Sequence, residues 1–226
     1  MGLATTANAN GPYSKCQEAC AEQSRSDECR HAPAKQQGIM TDIYLCRHGR
    51  TPLNAAGVLR GRLNPELDAI GLAEAHGLAR NLKEVPFSRL VSSPLLRAVR
   101  TAAELSEATG LVAETDDRLT DRDYGRFNGA LESELIGEYG SIDAAPGVES
   151  LETVTERALS VVAEAAEDSG PVALVTHCVV IRMILDALVP LSTGKAHVNP
   201  RTGSWSLIRF ADGCWHPIRL DSKDMA

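Results

Sequence analysis

At 226 residues, 43% hydrophobic and 23% charged, the chain has the size and balance of one globular domain with or without a tail, which argues against a fibre, a membrane protein or disorder throughout. A formal net charge of −7 gives a nucleic-acid partner no overall electrostatic footing, so an anionic ligand needs a locally basic pocket. The best candidate for a bilayer span, residues 172–191, is broken by His177, Arg182 and Asp186, and no membrane partner is expected.

Taken in chain order, residues 1–39 show no sustained apolar period and end in Gln36-Gln37-Gly38, so they read as a disordered N-terminal tail ahead of a domain over 40–226. Cys16, Cys20, Cys29 and His31 in that tail match no standard zinc spacing, and no metal is expected. Ile43-Tyr44-Leu45-Cys46 predicts a buried strand, and Leu72, Ala75, Ala79 and Leu82 share one helical face. Leu90-Val91 predicts a strand, 97–108 an Ala- and Glu-rich helix, and Leu111 to Ala113 a short strand. Leu151, Val154, Ala158, Val161 and Ala165 line the apolar side of a helix over about 150–168. Residues 171–175 form a continuous apolar strand and 179–188 a helix, and 205–210 and 215–220 flank Asp212-Gly213 as a hairpin. With only 4% aromatic residues, Leu, Val, Ile and Ala must fill the core.

Strands alternating with helices predict an α/β fold, a three-layer α/β/α sandwich with a mainly parallel central sheet. In such sheets ligands bind beyond the carboxyl ends of strands, which brings Arg47-His48-Gly49 and Thr176-His177 into one region. Cys46, Cys178 and Cys214 lie in apolar stretches and read as buried thiols; with no export signal in view, the expected compartment is the reducing cytoplasm.

The segment Arg47-His48-Gly49-Arg50-Thr51-Pro52-Leu53-Asn54 carries the most chemistry. It is followed by Gly61, Leu67 and Gly71, then Ser92-Ser93-Pro94-Leu95-Leu96-Arg97-Ala98, then Leu119-Thr120-Asp121 with Gly125 and Gly129, and then Val175-Thr176-His177. This ordered series, over about residues 42–210, resembles the histidine phosphatase superfamily, the phosphoglycerate-mutase-like branch with the R-H-G motif. The resemblance implies a phosphoglycerate-mutase-like fold, with His48 as the nucleophile, His177 as a donor to the transferring phosphoryl group and Asp121 as the general acid. It further implies substrate binding by Arg47, Asn54, Gly61 and Arg97, and no cofactor.

Physical chemistry agrees with those types. A phosphate monoester dianion repels nucleophiles, and guanidinium forks offset that charge with paired hydrogen bonds. A neutral imidazole is a good nucleophile, and neighbouring arginines disfavour its protonation. Asp121 stands where many family members have Glu, one methylene longer, and Asp123 is the alternative acid. Cys178 replaces a usual Gly, and Val58 a frequent Arg. Arg100 and Arg182 read as surface ion-pair residues.

Relatives that are mutases usually carry a longer basic, proline-rich insertion after the acid; here 129–151 is short and acidic. The expected function is therefore hydrolysis of a small phosphorylated metabolite through a phosphohistidine intermediate. A 2,3-bisphosphoglycerate-dependent phosphoglycerate mutase and a non-catalytic phosphate-ligand-binding regulatory protein are the alternatives. A homodimer stays open.

Overall fold

The computed structural model describes residues 40–189 and 198–226. The readings of 1–39, both the disordered tail and the absence of zinc at its cysteines, lie outside the described residues.

Strand β1 (Thr41–Arg47) runs through the middle of a six-stranded sheet with β2 (Arg89–Ser92), β3 (Glu114–Thr115), β4 (Val172–Thr176), β5 (Trp205–Ala211) and β6 (Cys214–Ser222), in the order β3-β2-β4-β1-β5-β6. The first four pair in parallel, while β5 joins β1, and β6 joins β5, antiparallel. Because side chains alternate across a strand, the central runs Ile43 to Cys46 of β1 and Val172 to Val175 of β4 must be apolar at consecutive positions to serve two covered faces. Ile43, Leu45, Val172 and Leu174 pack on one side, and Tyr44, Cys46, Ala173 and Val175 on the other.

The first side is covered by α5 (Leu151–Ala165) and α6 (Cys178–Leu188), and the second by α2 (Ala69–Leu82) and α3 (Leu96–Thr109). Each buried Leu, such as Leu78, Leu105 or Leu174, contributes about 1.5–3 kcal/mol through its removal from water. Local signals set the helix ends. The Asp68 side chain accepts from the Gly71 N–H at the start of α2, and Gly110, at φ +75°, closes α3 with its N–H on the Ser106 carbonyl.

One expectation needs correction. The third strand forms at Glu114–Thr115 and not at Leu111 to Ala113, because β2 pairs it only through Val91 and Ser92 at its own carboxyl end. Leu111 and Ala113 pack against the second core cluster instead of pairing. Residues 129–151, short and acidic in sequence, have structure of their own. They contain α4 (Glu132–Tyr139), and Leu135 and Ala145 build a third small core with Leu59 and Tyr124 beside the carboxyl ends of the strands. Residues 52–55 form the single-turn α1 (Pro52–Ala55).

Candidate active site

The parallel neighbours β1 and β4 end side by side, with Arg47 opposite Thr176, so the next residue on each is a histidine. The His48 N–H donates to the Thr176 carbonyl at 3.1 Å, and the Gly203 N–H donates to the His48 carbonyl at 3.1 Å. The two imidazoles are fully buried, with ring centroids 5.1 Å apart and planes at 57°.

The glycine after His48 has a steric reason. A Cβ on Gly49 would stand 2.2 Å from the Gly71 carbonyl oxygen, and one on Gly71 would stand 1.9 Å from the Arg50 carbonyl oxygen. The loop after β1 and the first turn of α2 thus pack backbone on backbone, which no side chain permits.

His48 Nδ1 lies 2.6 Å from the Gly49 carbonyl oxygen. A carbonyl only accepts, so Nδ1 carries the proton and Nε2 keeps its lone pair. Nε2 is buried without a hydrogen-bond partner. Burial and the guanidiniums of Arg97, Arg47 and Arg60 hold the His48 imidazole well below its ordinary titration range, against the pull of the Gly49 carbonyl, so it stays neutral at pH 7.

His177 is held by Ser93, whose Oγ is 2.8 Å from its Nε2. Its Nδ1 has no hydrogen bond and lies 3.7 Å from Asp121 Oδ2. Burial, Arg97 and the neighbouring His48 push its titration far down as well.

Arg97 projects from the first turn of α3 and is fully buried. Its Nη1 donates to the Leu63 carbonyl at 2.8 Å, and its Nη2 to the Gly61 carbonyl at 3.0 Å and to Asp121 Oδ2 at 2.9 Å. Arg47 Nη1 donates to the Pro200 carbonyl. Arg60 reaches the same region and donates from Nη1 to the Val58 carbonyl at 3.1 Å. The Nε atoms of Arg47, Arg60 and Arg97 are buried and unpartnered. Six buried side-chain atoms among the described residues lack a hydrogen bond, and five belong to Arg47, His48, Arg60, Arg97 and His177. Such atoms cost free energy until something pairs with them, and three cations, one imidazole lone pair and one further ring nitrogen fit a phosphate ester.

Not all expected residues face this centre in the same way. Asp121 is buried between Arg97 and His177. Asp123 is not: its side chain is 42% exposed, accepts from Asn128 and the Gly125 N–H, and stands 3.8 Å from Arg62. The Asn128 amide and the Gly125 N–H hold the Asp123 carboxyl below the usual carboxylate range. Asn54 spends its Oδ1 on the Thr51 N–H in a capping box at α1, and it also lines the cavity in front of Arg47. Gly61 enters through its backbone. With φ +43° and Asn128 Oδ1 only 2.0 Å from a notional Cβ, it must be glycine to hand its carbonyl to Arg97.

Sequence reasoning missed Arg60, Ser93 and Arg182. Val58 drew attention as a missing arginine, and the signal overlooked was an arginine two residues further on. Ser93 lay inside a quoted motif, but only the fold brings it to His177. Arg182, expected in a surface ion pair, instead lines the cavity of about 270 Å³ that opens from Arg47. Cys178 borders it too; its thiol donates to Asn199 Oδ1 at 2.9 Å, and burial pushes its titration up, away from a reactive thiolate.

Comparison with known proteins agrees with this geometry. A family model described as the histidine phosphatase superfamily (branch 1) matches residues 43–222. The glucosyl-3-phosphoglycerate phosphatase of Mycobacterium tuberculosis (strain ATCC 25618 / H37Rv) is 31% identical over 196 residues, covering 77% of this chain and 86% of that protein. An uncharacterized phosphatase, PhoE, of Bacillus subtilis (strain 168) is 32% identical over 179 residues, covering 78% and 92%. Among solved structures, the native mycobacterial glucosyl-3-phosphoglycerate phosphatase superposes with a TM-score of 0.72 at 27% identity over 81% of this chain and 99% of that one. A phosphoglycerate mutase from Bacillus anthracis str. Sterne shares the fold at TM-score 0.74 and 23% identity, over 82% and 95%.

Proposed function

The chain belongs to the histidine phosphatase superfamily, branch 1, and from that membership we propose that it hydrolyses the phosphate monoester of a small metabolite by way of a phosphohistidine on His48. The observation that carries the reading is the unprotonated, unpartnered Nε2 of a buried histidine among three guanidiniums.

Arg47, Arg60 and Arg97 receive the dianion and offset its charge. His48 Nε2 attacks phosphorus while the ester P–O bond breaks. His177 donates from Nδ1 to a phosphoryl oxygen, a role that requires the Ser93 hydroxyl to donate to Nε2. The leaving alkoxide takes a proton from Asp121. In the second half, Asp121 removes a proton from water, the water oxygen attacks phosphorus, and the P–N bond breaks to return neutral His48 and inorganic phosphate. Asn54 lies at the entrance and Gly61 acts by positioning Arg97.

The phosphatase names of relatives matching over three quarters of the chain support hydrolysis over return of the group to a bound acid. The test is phosphate release from p-nitrophenyl phosphate and a panel of phosphorylated metabolites, with brief acid-free quenching to trap phosphohistidine. Turnover by the wild type and its loss in a folded His48→Ala protein are expected. Near-normal release by His48→Ala would overturn the mechanism.

A further inference from the structure

The cavity does not end at the phosphate centre. Cys178 and Arg182 are four residues apart on α6, so they share one face, with Arg182 about 6 Å further along the helix axis from His177. Arg182 is half-buried, lines the same cavity as Arg47 and Arg60, and has no hydrogen bond or ion pair among the described residues.

Its neighbour Arg122 shows what a structural arginine looks like in this cavity. Arg122 donates from Nη1 to Asp143 at 2.7 Å and from Nε to the Glu149 carbonyl at 2.7 Å, and it lies over the Tyr124 ring. Its charge is already balanced. Among the described residues, the one carboxylate on the cavity wall is the exposed Glu132; Asp186, a turn beyond Arg182, does not line it. Arg182 therefore holds an uncompensated charge in a partly enclosed space that Arg47 and Arg60 already make positive, an arrangement that is unfavourable until an anion enters. Buried, unpartnered nitrogens of Arg47, Arg60, Arg97 and His177 already await the scissile phosphate, and Arg182 is not among them, which leaves it for a different anionic group.

We propose that Arg182 is a specificity-determining residue that binds a second anionic group, a carboxylate or a second phosphate, placed a few bonds from the ester being cleaved. The inference rests on the phosphatase reading of the centre and adds the substrate class: doubly anionic phosphorylated metabolites in preference to neutral-tailed monoesters.

The probes are 3-phosphoglycerate and glycerol 3-phosphate, which share three carbons and differ in a carboxylate, and fructose 1,6-bisphosphate and fructose 6-phosphate, which differ in a phosphate. Wild-type kcat/KM should favour a doubly anionic member over its partner by roughly tenfold or more, mainly through KM, the worth of one charge-assisted hydrogen bond. Which pair shows the preference identifies the second group. Arg182→Gln should erase the preference while leaving p-nitrophenyl phosphate turnover and melting temperature unchanged, and Arg182→Lys should retain part of it. Absence of any preference in the wild type, or an equal fall for all esters in Arg182→Gln, overturns the proposal. If no ester is hydrolysed, the phosphatase reading fails by itself. Calorimetric binding of the same four probes to wild type and Arg182→Gln then decides the subsite: a tenfold preference lost in the variant upholds it, and equal affinities overturn it.

Discussion

At the scale of single residues, the site is organised by where protons cannot go. The Gly49 carbonyl fixes the proton of His48 on Nδ1, and burial with Arg97, Arg47 and Arg60 keeps a second proton off Nε2. An ordinary imidazole would lose its neutral form below about pH 6.5. The acid limb assigned to His48 in a kcat/KM profile should therefore lie below that value. Arg60→Gln removes one repelling cation and should move the limb upward; a limb that stays or falls contradicts the electrostatic account. The same burial has a stability consequence. Both histidines are neutral in the native state but protonate in the unfolded chain near pH 6.5, so stability is fully present above that pH and declines as pH falls through it. Two withheld protons set a limiting slope of about 2.7 kcal/mol per pH unit. Urea unfolding at pH 7.5, 6.5 and 5.5 measures it, and His48→Gln should roughly halve the histidine contribution.

The buried Asp121 and the exposed Asp123 make a second residue-scale contrast. If Asp121 protonates the leaving group, Asp121→Asn should slow alkyl phosphate turnover on the order of a hundredfold, yet affect p-nitrophenyl phosphate far less, because that phenolate leaves unaided. Asp123→Asn should show no dependence on the leaving group. The reverse pattern would reassign the acid to Asp123.

At the scale of elements, the loop after β1 and the start of α2 are locked by two glycines in contact. Gly71→Ala puts a methyl group 1.9 Å from the Arg50 carbonyl oxygen, which forces backbone to move next to His48. A loss of about 3 kcal/mol or more is expected in denaturant titrations, together with loss of activity. Gly77 is the internal control. It lies in the same helix, a Cβ there would meet nothing within 4 Å, and Gly77→Ala should stabilise by about 0.5–1 kcal/mol through helix propensity alone. Equal effects at the two positions would contradict the close-approach explanation.

At the scale of the whole molecule, the catalytic end of the sheet is braced by its far end in sequence. The turn before β5 supplies the Ser204 carbonyl to the Arg47 N–H at 2.9 Å and the Gly203 N–H to the His48 carbonyl. Glu74 of α2 joins the Arg50 N–H, Thr202 and Lys223 through one carboxylate. No proposed site residue precedes residue 47, and the family match begins at residue 43. A chain beginning at Met40 should therefore keep its melting temperature within a few degrees and its turnover within about twofold. A large fall in either would assign residues 1–39 a structural role.

The alternation of apolar strands and helical periods determined the three layers from sequence alone, because an uninterrupted apolar run, such as Ile43 to Cys46 in β1 or Val172 to Val175 in β4, has to be covered on both faces. The positions just after those two strands likewise marked His48 and His177 in advance, since topology makes parallel neighbours end together. The helix of 132–139 and its small core were not legible, because four acidic or polar residues in eight conceal a period that only Leu59 and Tyr124, distant in sequence, complete. Arg60 and Arg182 were illegible for the same kind of reason. An arginine in isolation reads as a solvated charge, and it becomes a site residue only when burial removes water and the fold offers it no carboxylate. The contrast between Asp121 and Asp123 was also tertiary: the two lie two residues apart, and packing against Arg97 and His177 buries one and leaves the other in solvent.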